Sequence, residues 1–268
     1  MFAYLSQIYS LELRRLLTYR AEFWIYFFGN LAGHMLVAYF LWDAIFKFNG
    51  VSEMRGFTFR GIMLYYLLVP VVDGVIRGME MTSFSREIYD GTLNRYLLYP
   101  VSFFAYKIAS RLAESTLALL QLGLAFVLYL ILVGVPDGVS VSLFHVLSGV
   151  GLCLLAFLVY FCMASTLELL AFWADNVWSL LVLLRFLAQL LGGGLIPLVY
   201  FPDWSIQIIQ VLPFGYLISL PIRTFLGMST TAEIFQGAIM LVAWLMVLSF
   251  PVAYLWNRGL RRYSGIGI

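Results

Sequence analysis

Charge is the scarcest ingredient of this 268-residue chain. Lysine, arginine, aspartate and glutamate together make up 11% of it, where a soluble domain carries roughly 25%. The charges nearly balance, at a net +2, which makes no case for nucleic acid as a partner. Lysine occurs only at Lys47 and Lys107, preceded by Phe46 and Tyr106. A nucleotide-binding P-loop needs glycine before its lysine and serine or threonine after it, because backbone amides and the ammonium group hold the phosphates together. No such site exists here. The two histidines, His34 and His145, fall in different segments. No His-Glu-x-x-His, paired metal spacing or Gly-x-Ser-x-Gly elbow forms. These absences argue against a membrane hydrolase or a metalloenzyme, and the chain reads as non-enzymatic, with no cofactor of its own. The two cysteines, Cys153 and Cys162, share one apolar run. They stand about 13.5 Å apart along a helix and on opposite faces, so they cannot bridge within it. They read as buried apolar thiols. No cleavable signal peptide is expected, because Glu12, Arg14, Arg15 and Arg20 crowd the first twenty residues without an apolar core before them.

What the chain has in excess is apolar length. Hydrophobic residues are 63% and mean hydropathy is +0.94, so one all-α integral membrane domain, 1–268, is expected to use nearly all of it. A crossing takes about 20 mainly apolar residues. Six runs qualify, roughly Phe23–Phe46, Phe59–Met81, Phe103–Val135, Val141–Trp173, Val177–Tyr200 and Ile234–Trp256. With the N-terminus inside, Arg14, Arg15, Arg20, Arg86, Arg95, Lys107, Arg111, Arg258, Arg261 and Arg262 lie on the inner side. Lys47, Arg55, Arg60 and Arg223 lie on the outer side. This asymmetry places both termini in the cytoplasm, in agreement with an even number of spans.

Two stretches depart from the spanning pattern. Residues 1–20 are amphipathic: Phe2, Leu5, Tyr9, Leu13 and Leu16 form one stripe, with Gln7, Ser10, Arg14 and Thr18 opposite. They predict a helix resting in the inner interface before the chain turns into the bilayer, with a cytoplasmic extension of the first span as the alternative. Residues 197–227 carry Pro197, Pro202, Pro213 and Pro221 among apolar residues. Such prolines forbid a straight spanning helix. Short helices dipping into the outer leaflet satisfy both facts where protein covers their ends.

Charges at membrane depth are costly and each calls for an explanation. Asp73 and Arg77 stand four apart in the second span and are expected to pair on one helix face. Glu168 and Arg185 flank the turn at Asp175 and Asn176 at similar distances, and a pair between them is expected. A static pair that fixes packing and a gate in a transport path both fit these residues. Gly29 and Gly33 give the first span a small-xxx-small face, suited to dimerisation or to internal helix packing.

The connector after the second span is an island of charge and turn chemistry, REIYDGTLNRYLLYPVS. It resembles the isoleucine-x-x-Gly-Thr-Leu…Leu-Leu…Pro-hydrophobic-Ser motif of the permeases of type-2 ABC exporters. The match rests on Ile88, Gly91, Thr92, Leu93, Leu97, Leu98, Pro100, Val101 and Ser102. The run Phe201–Gly227 is similar to that family's outer-leaflet segment, and the ending RGLRRYSGIGI to the tail of one bacterial branch. The resemblance implies six spans, pairing with a second permease subunit as homodimer or heterodimer, and a separate ATPase subunit that carries ATP and Mg. It implies a place in the bacterial cytoplasmic membrane and outward movement of a hydrophobic or amphipathic substrate from the cytoplasm or inner leaflet. It makes residues 82–100 a cytoplasmic coupling segment, with Arg86, Glu87, Ile88, Asp90, Gly91, Thr92, Leu93 and Arg95 as its contacts. Ser83 or Ser85 is expected to cap a short helix there and Gly91 to end it, with Arg86, Glu87 and Asp90 shown to the cytoplasm. An ion- or proton-coupled secondary carrier built on Asp73, Arg77, Glu168 and Arg185 is the competing reading, though no internal repeat of the kind such carriers show stands out. A membrane scaffold without transport is a third.

Overall fold

The computed structural model of the chain describes residues 2–18, 20–78 and 83–264. Met81 and Thr82, at the expected edges of the second span and the coupling segment, lie outside them, as do Gly265 to Ile268 of the tail motif. The elements run α1 (Phe2–Thr18), α2 (Arg20–Asn49), a hairpin of β1 (Glu53–Met54) and β2 (Phe57–Thr58), α3 (Phe59–Arg77), α4 (Ser83–Tyr89), α5 (Leu93–Leu97), α6 (Phe103–Val133) and α7 (Leu143–Glu168). Then follow α8 (Trp178–Leu191), α9 (Asp203–Val211), α10 (Ser219–Phe225) and α11 (Thr231–Arg262). Four long helices start at a hydroxyl residue whose side chain accepts a free backbone amide: Thr58 from Gly61, Ser102 from Ala105, Ser142 from His145 and Thr230 from Glu233. Each such cap stabilises by about 1 kcal/mol. Glu233 reaches back to the Thr230 amide and completes a capping box.

Among the described residues, five helices are long and apolar enough to cross a bilayer, six if the bent pair α9–α10 is counted as one span. α3 is buried on nearly every side, while α2 and α11 are mostly exposed. The core is therefore built around α3, with Ile62, Leu64, Leu68, Val72 and Val75 at its heart. α6, α7 and α10 pack around it and α2 covers one flank.

The expected fifth span, Val177–Tyr200, is shorter than the sequence suggests. α8 has 14 residues, about 21 Å, and stops at Gly192, Gly193 and Gly194. Gly193 adopts a φ of 85°, and a β-carbon there would come within 3.0 Å of the Tyr65 hydroxyl. The chain turns because three residues without side chains let the backbone press against α3. Beyond the turn, two helical segments, Asp203–Val211 and Pro213–Phe225, meet at 88°, the bend of a broken span or of a re-entrant loop. Irregular backbone at this depth must find partners within the protein. Tyr65 donates to the Gly193 carbonyl and Tyr66 to that of Leu195, each at 2.8 Å, and the Ser219 amide donates to Gly192 at 2.8 Å. The end of α9 is covered by Tyr216, donating to Gln210 at 2.7 Å, and by Trp244, donating to Val211 at 3.0 Å. Tyr65→Phe should therefore leave a buried carbonyl without its donor and cost about 1–3 kcal/mol. A fall in the melting temperature in detergent, larger than that of Tyr129→Phe nearer the surface, checks this.

α1 turns the stripe Leu5, Tyr9, Leu13 and Leu16 inward, joined by Ile8 and Glu12; the side chain of Phe2 lies outside the described set. The helix packs along α6, and the Tyr9 hydroxyl donates to that of Thr116 at 3.0 Å. The Gly29–Gly33 face takes no part in internal packing among the described residues. Both glycines are exposed and nothing lies within 4 Å of where their side chains would begin.

Candidate functional site

The connector folds as two short helices, α4 and α5, around a tight turn. Gly91 has a φ of 69° and its amide donates to Ile88 at 3.3 Å. Gly91 ends α4 as expected, since a left-handed position strains any residue with a side chain. The start of α4 is held differently from the expectation. The carboxylate of Glu168, from the end of α7, accepts the amides of Phe84 at 2.6 Å and Ser85 at 3.2 Å. Ser85 is itself buried beneath that carboxylate, and the side chain of Ser83 lies outside the described set. A charged acceptor on two free amides at a helix start is a strong cap. It fastens the connector to α7.

A second fastening joins the connector to α6. Glu87 is buried and its carboxylate pairs with the Lys107 ammonium at 2.5 Å. This corrects the expectation that Glu87 faces the cytoplasm. Phe84, Glu87 and Ile88 lie on the inner side of α4. The ammonium group sits over the rings of Tyr96 at 4.9 Å, Phe103 at 5.6 Å and Phe84 at 5.8 Å, a cation–π cage. Burial, and then the neighbouring Glu87 carboxylate, push the Tyr96 hydroxyl well above its ordinary pKa, so it stays neutral beside that carboxylate. Phe84, Ile88, Leu93 and Tyr96 belong to one apolar cluster with Phe161 and Phe172 near the end of α7 and Val252 of α11. Of the expected contact residues, Ile88 and Leu93 thus face the bundle. Arg86, Asp90, Thr92 and Arg95 are exposed, together with Leu98, an apolar side chain at 86% exposure.

The membrane-depth charges continue from the same place. Asp73 and Arg77 pair as expected on α3. Glu168 does not take Arg185 as its partner. Its ion pair is with Arg111 of α6, at 3.9 Å. Arg111 also donates to the Arg77 carbonyl at 3.4 Å, and Arg77 to the Arg185 carbonyl at 3.5 Å. A path of polar contacts therefore runs from α4 through α7, α6 and α3 to α8. Arg185 lines a cavity of about 90 Å³ with Asn30, Asp73, Glu114 and Gln121. Lys107 and Arg111, two of the expected inner-side charges, are thus partners of the connector and of α7. Their spacing held the signal: Lys107, Arg111, Glu114, Ala118 and Gln121 fall on one face of α6, and all five are buried.

This is a polytopic helical membrane protein with a charged, structured connector keyed into its helix ends and no nucleotide-binding loop in its sequence. Residues 32–267 match the family described as "ABC-2 family transporter protein", and the chain belongs to that family. No curated protein and no solved structure matches it. Membership makes the chain a membrane permease of an ABC transporter, whose family implies an ABC ATPase subunit as partner.

Proposed function

We propose that this permease exports a hydrophobic or amphipathic substrate and is driven through the α4–α5 connector by a separate ATPase subunit that carries ATP and Mg. The observation that supports this reading is the double fastening of the connector, by Glu168 of α7 and Lys107 of α6. A push on a loosely attached loop would dissipate, whereas a capped and caged connector passes displacement to two long helices at once. Both termini lie in the cytoplasm of a bacterial cell and the domain sits in its cytoplasmic membrane, as the basic asymmetry suggests. A second permease subunit completes the transporter. The uncovered Gly29–Gly33 face of α2 suits it, since small residues let backbones approach closely. The carrier reading finds less support, because Asp73 and Glu168 are each held in an ion pair.

The test is to co-purify the permease with its ATPase and measure ATP turnover and transport. Asp90→Lys combined with Leu98→Asp changes only exposed side chains of the connector. It should weaken capture of the ATPase about tenfold or more by reversing charge complementarity and removing an apolar anchor. Membrane insertion and melting temperature should stay as in the parent. Undiminished capture and transport in that variant would refute the connector as the docking point.

A further inference from the structure

The tip of the β1–β2 hairpin is Arg55–Gly56, and both residues have positive φ, 49° and 85°. Two-residue hairpin loops with positive φ at both positions favour Asn-Gly or Gly-Gly. An arginine there costs roughly 1–2 kcal/mol of backbone strain. Among the described non-glycine residues, Arg55 alone has positive φ. A strained residue points to a use for its side chain. The Arg55 guanidinium reaches across to the Val199 carbonyl at 2.6 Å and lines a cavity of about 570 Å³, the largest of those described. That volume is in the range of small-molecule sites.

A second guanidinium, Arg223 of α10, lines the same cavity. It pairs with Glu233 at 3.4 Å and donates to the Met228 carbonyl at 3.5 Å. The lining of this cavity thus holds two cations and one carboxylate, and each guanidinium has further N–H donors beyond these bonds. The lining also includes apolar side chains, Ile206 and Ile209 of α9 and Leu220 of α10. α9 also exposes Trp204, Ile208 and Val211 at 68%, 55% and 65%, a surface fit for acyl chains.

We propose that this cavity binds an anionic amphiphile, its phosphate-like head between Arg55 and Arg223 and its chain along Ile206, Ile209 and Leu220. Planar guanidinium forks match phosphate oxygens, and the apolar side chains take what a free anion lacks. The inference deepens the export reading by giving the outer end a ligand class, and it rests on that reading for its orientation. Its test needs no ATPase, so a failure of ATP-driven transport would leave the binding result standing by itself.

The purified permease in non-ionic detergent is titrated with dihexanoyl phosphatidylglycerol, with dihexanoyl phosphatidylcholine and with inorganic phosphate, read by isothermal titration. Phosphatidylglycerol should bind about tenfold or more tightly than phosphatidylcholine, whose phosphate carries beside it a choline cation that two guanidinium groups repel. Inorganic phosphate at the same concentration should not displace it. Arg55→Gly should abolish the preference, and the melting temperature should hold or rise because glycine suits the left-handed turn. Arg223→Gln should reduce the preference as well. Equal affinity for the two lipids, or a preference unchanged in both variants, would overturn the proposal. So would displacement by phosphate alone, which would make this a simple anion site.

Discussion

Glu168→Ala is expected to destabilise the folded permease by about 3–5 kcal/mol, the cost of removing one partner from a buried charge pair. Glu168 is 1% exposed, so water cannot replace what the carboxylate supplied. The change takes from Arg111 one of its partners and from α4 the acceptor of two amides at once. Thermal unfolding in detergent measures the loss, and hydrogen exchange should show α4 opening before the long helices do. A double-mutant cycle identifies the partner. Glu168→Gln with Arg111→Met should show coupling above about 1 kcal/mol, whereas Glu168→Gln with Arg185→Met should be additive within about 0.5 kcal/mol. The reverse ranking would mean that Glu168 faces α8 and that the path from the connector does not pass through α6.

That partner was the least legible part of the sequence. Glu168 and Arg185 stand at similar distances from the turn at Asp175 and Asn176, which suggests equal depth for two straight helices. The chain instead continues α7 as a tighter 3-10 turn, Leu169–Phe172. Its rotation per residue differs from that of an α-helix, so counting residues from the turn does not fix the facing side. The long spans were legible because bilayer thickness imposes a length and because charge is too rare to blur their edges. The short α8 was not, since Gly192, Gly193 and Gly194 are neutral to a hydropathy window while deciding the backbone. Within the connector, the turn at Gly91 was readable from residue type. The burial of Glu87 was hidden by its charge, although Phe84, Glu87 and Ile88 have the i, i+3, i+4 spacing of one helix face. A charged residue in an aqueous connector reads as solvated until its counter-charge is known to arrive from another helix. The same reason kept Lys107 and Arg111 among the inner-side charges.

Lys107→Met should be the second severe change, and its rescue separates packing from charge. The substitution removes the ammonium group from among Tyr96, Phe103 and Phe84 and strands the Glu87 carboxylate, whose second oxygen already has no hydrogen-bond partner among the described residues. A loss of about 3–5 kcal/mol is expected. If the connector transmits motion, ATP turnover should persist in the assembled complex while transport falls. Glu87→Met with Lys107→Met should recover most of the stability, because apolar side chains of similar volume suit an aromatic cluster at least as well as a buried pair. The charge swap Glu87→Lys with Lys107→Glu should recover less. It restores the ion pair but points a carboxylate at three ring faces that favour a cation. Melting temperatures of the single, Met–Met and swapped variants therefore form an ordered series. A swap as stable as the parent would show that the pair acts through charge alone and that the aromatic cage contributes nothing to fastening the connector.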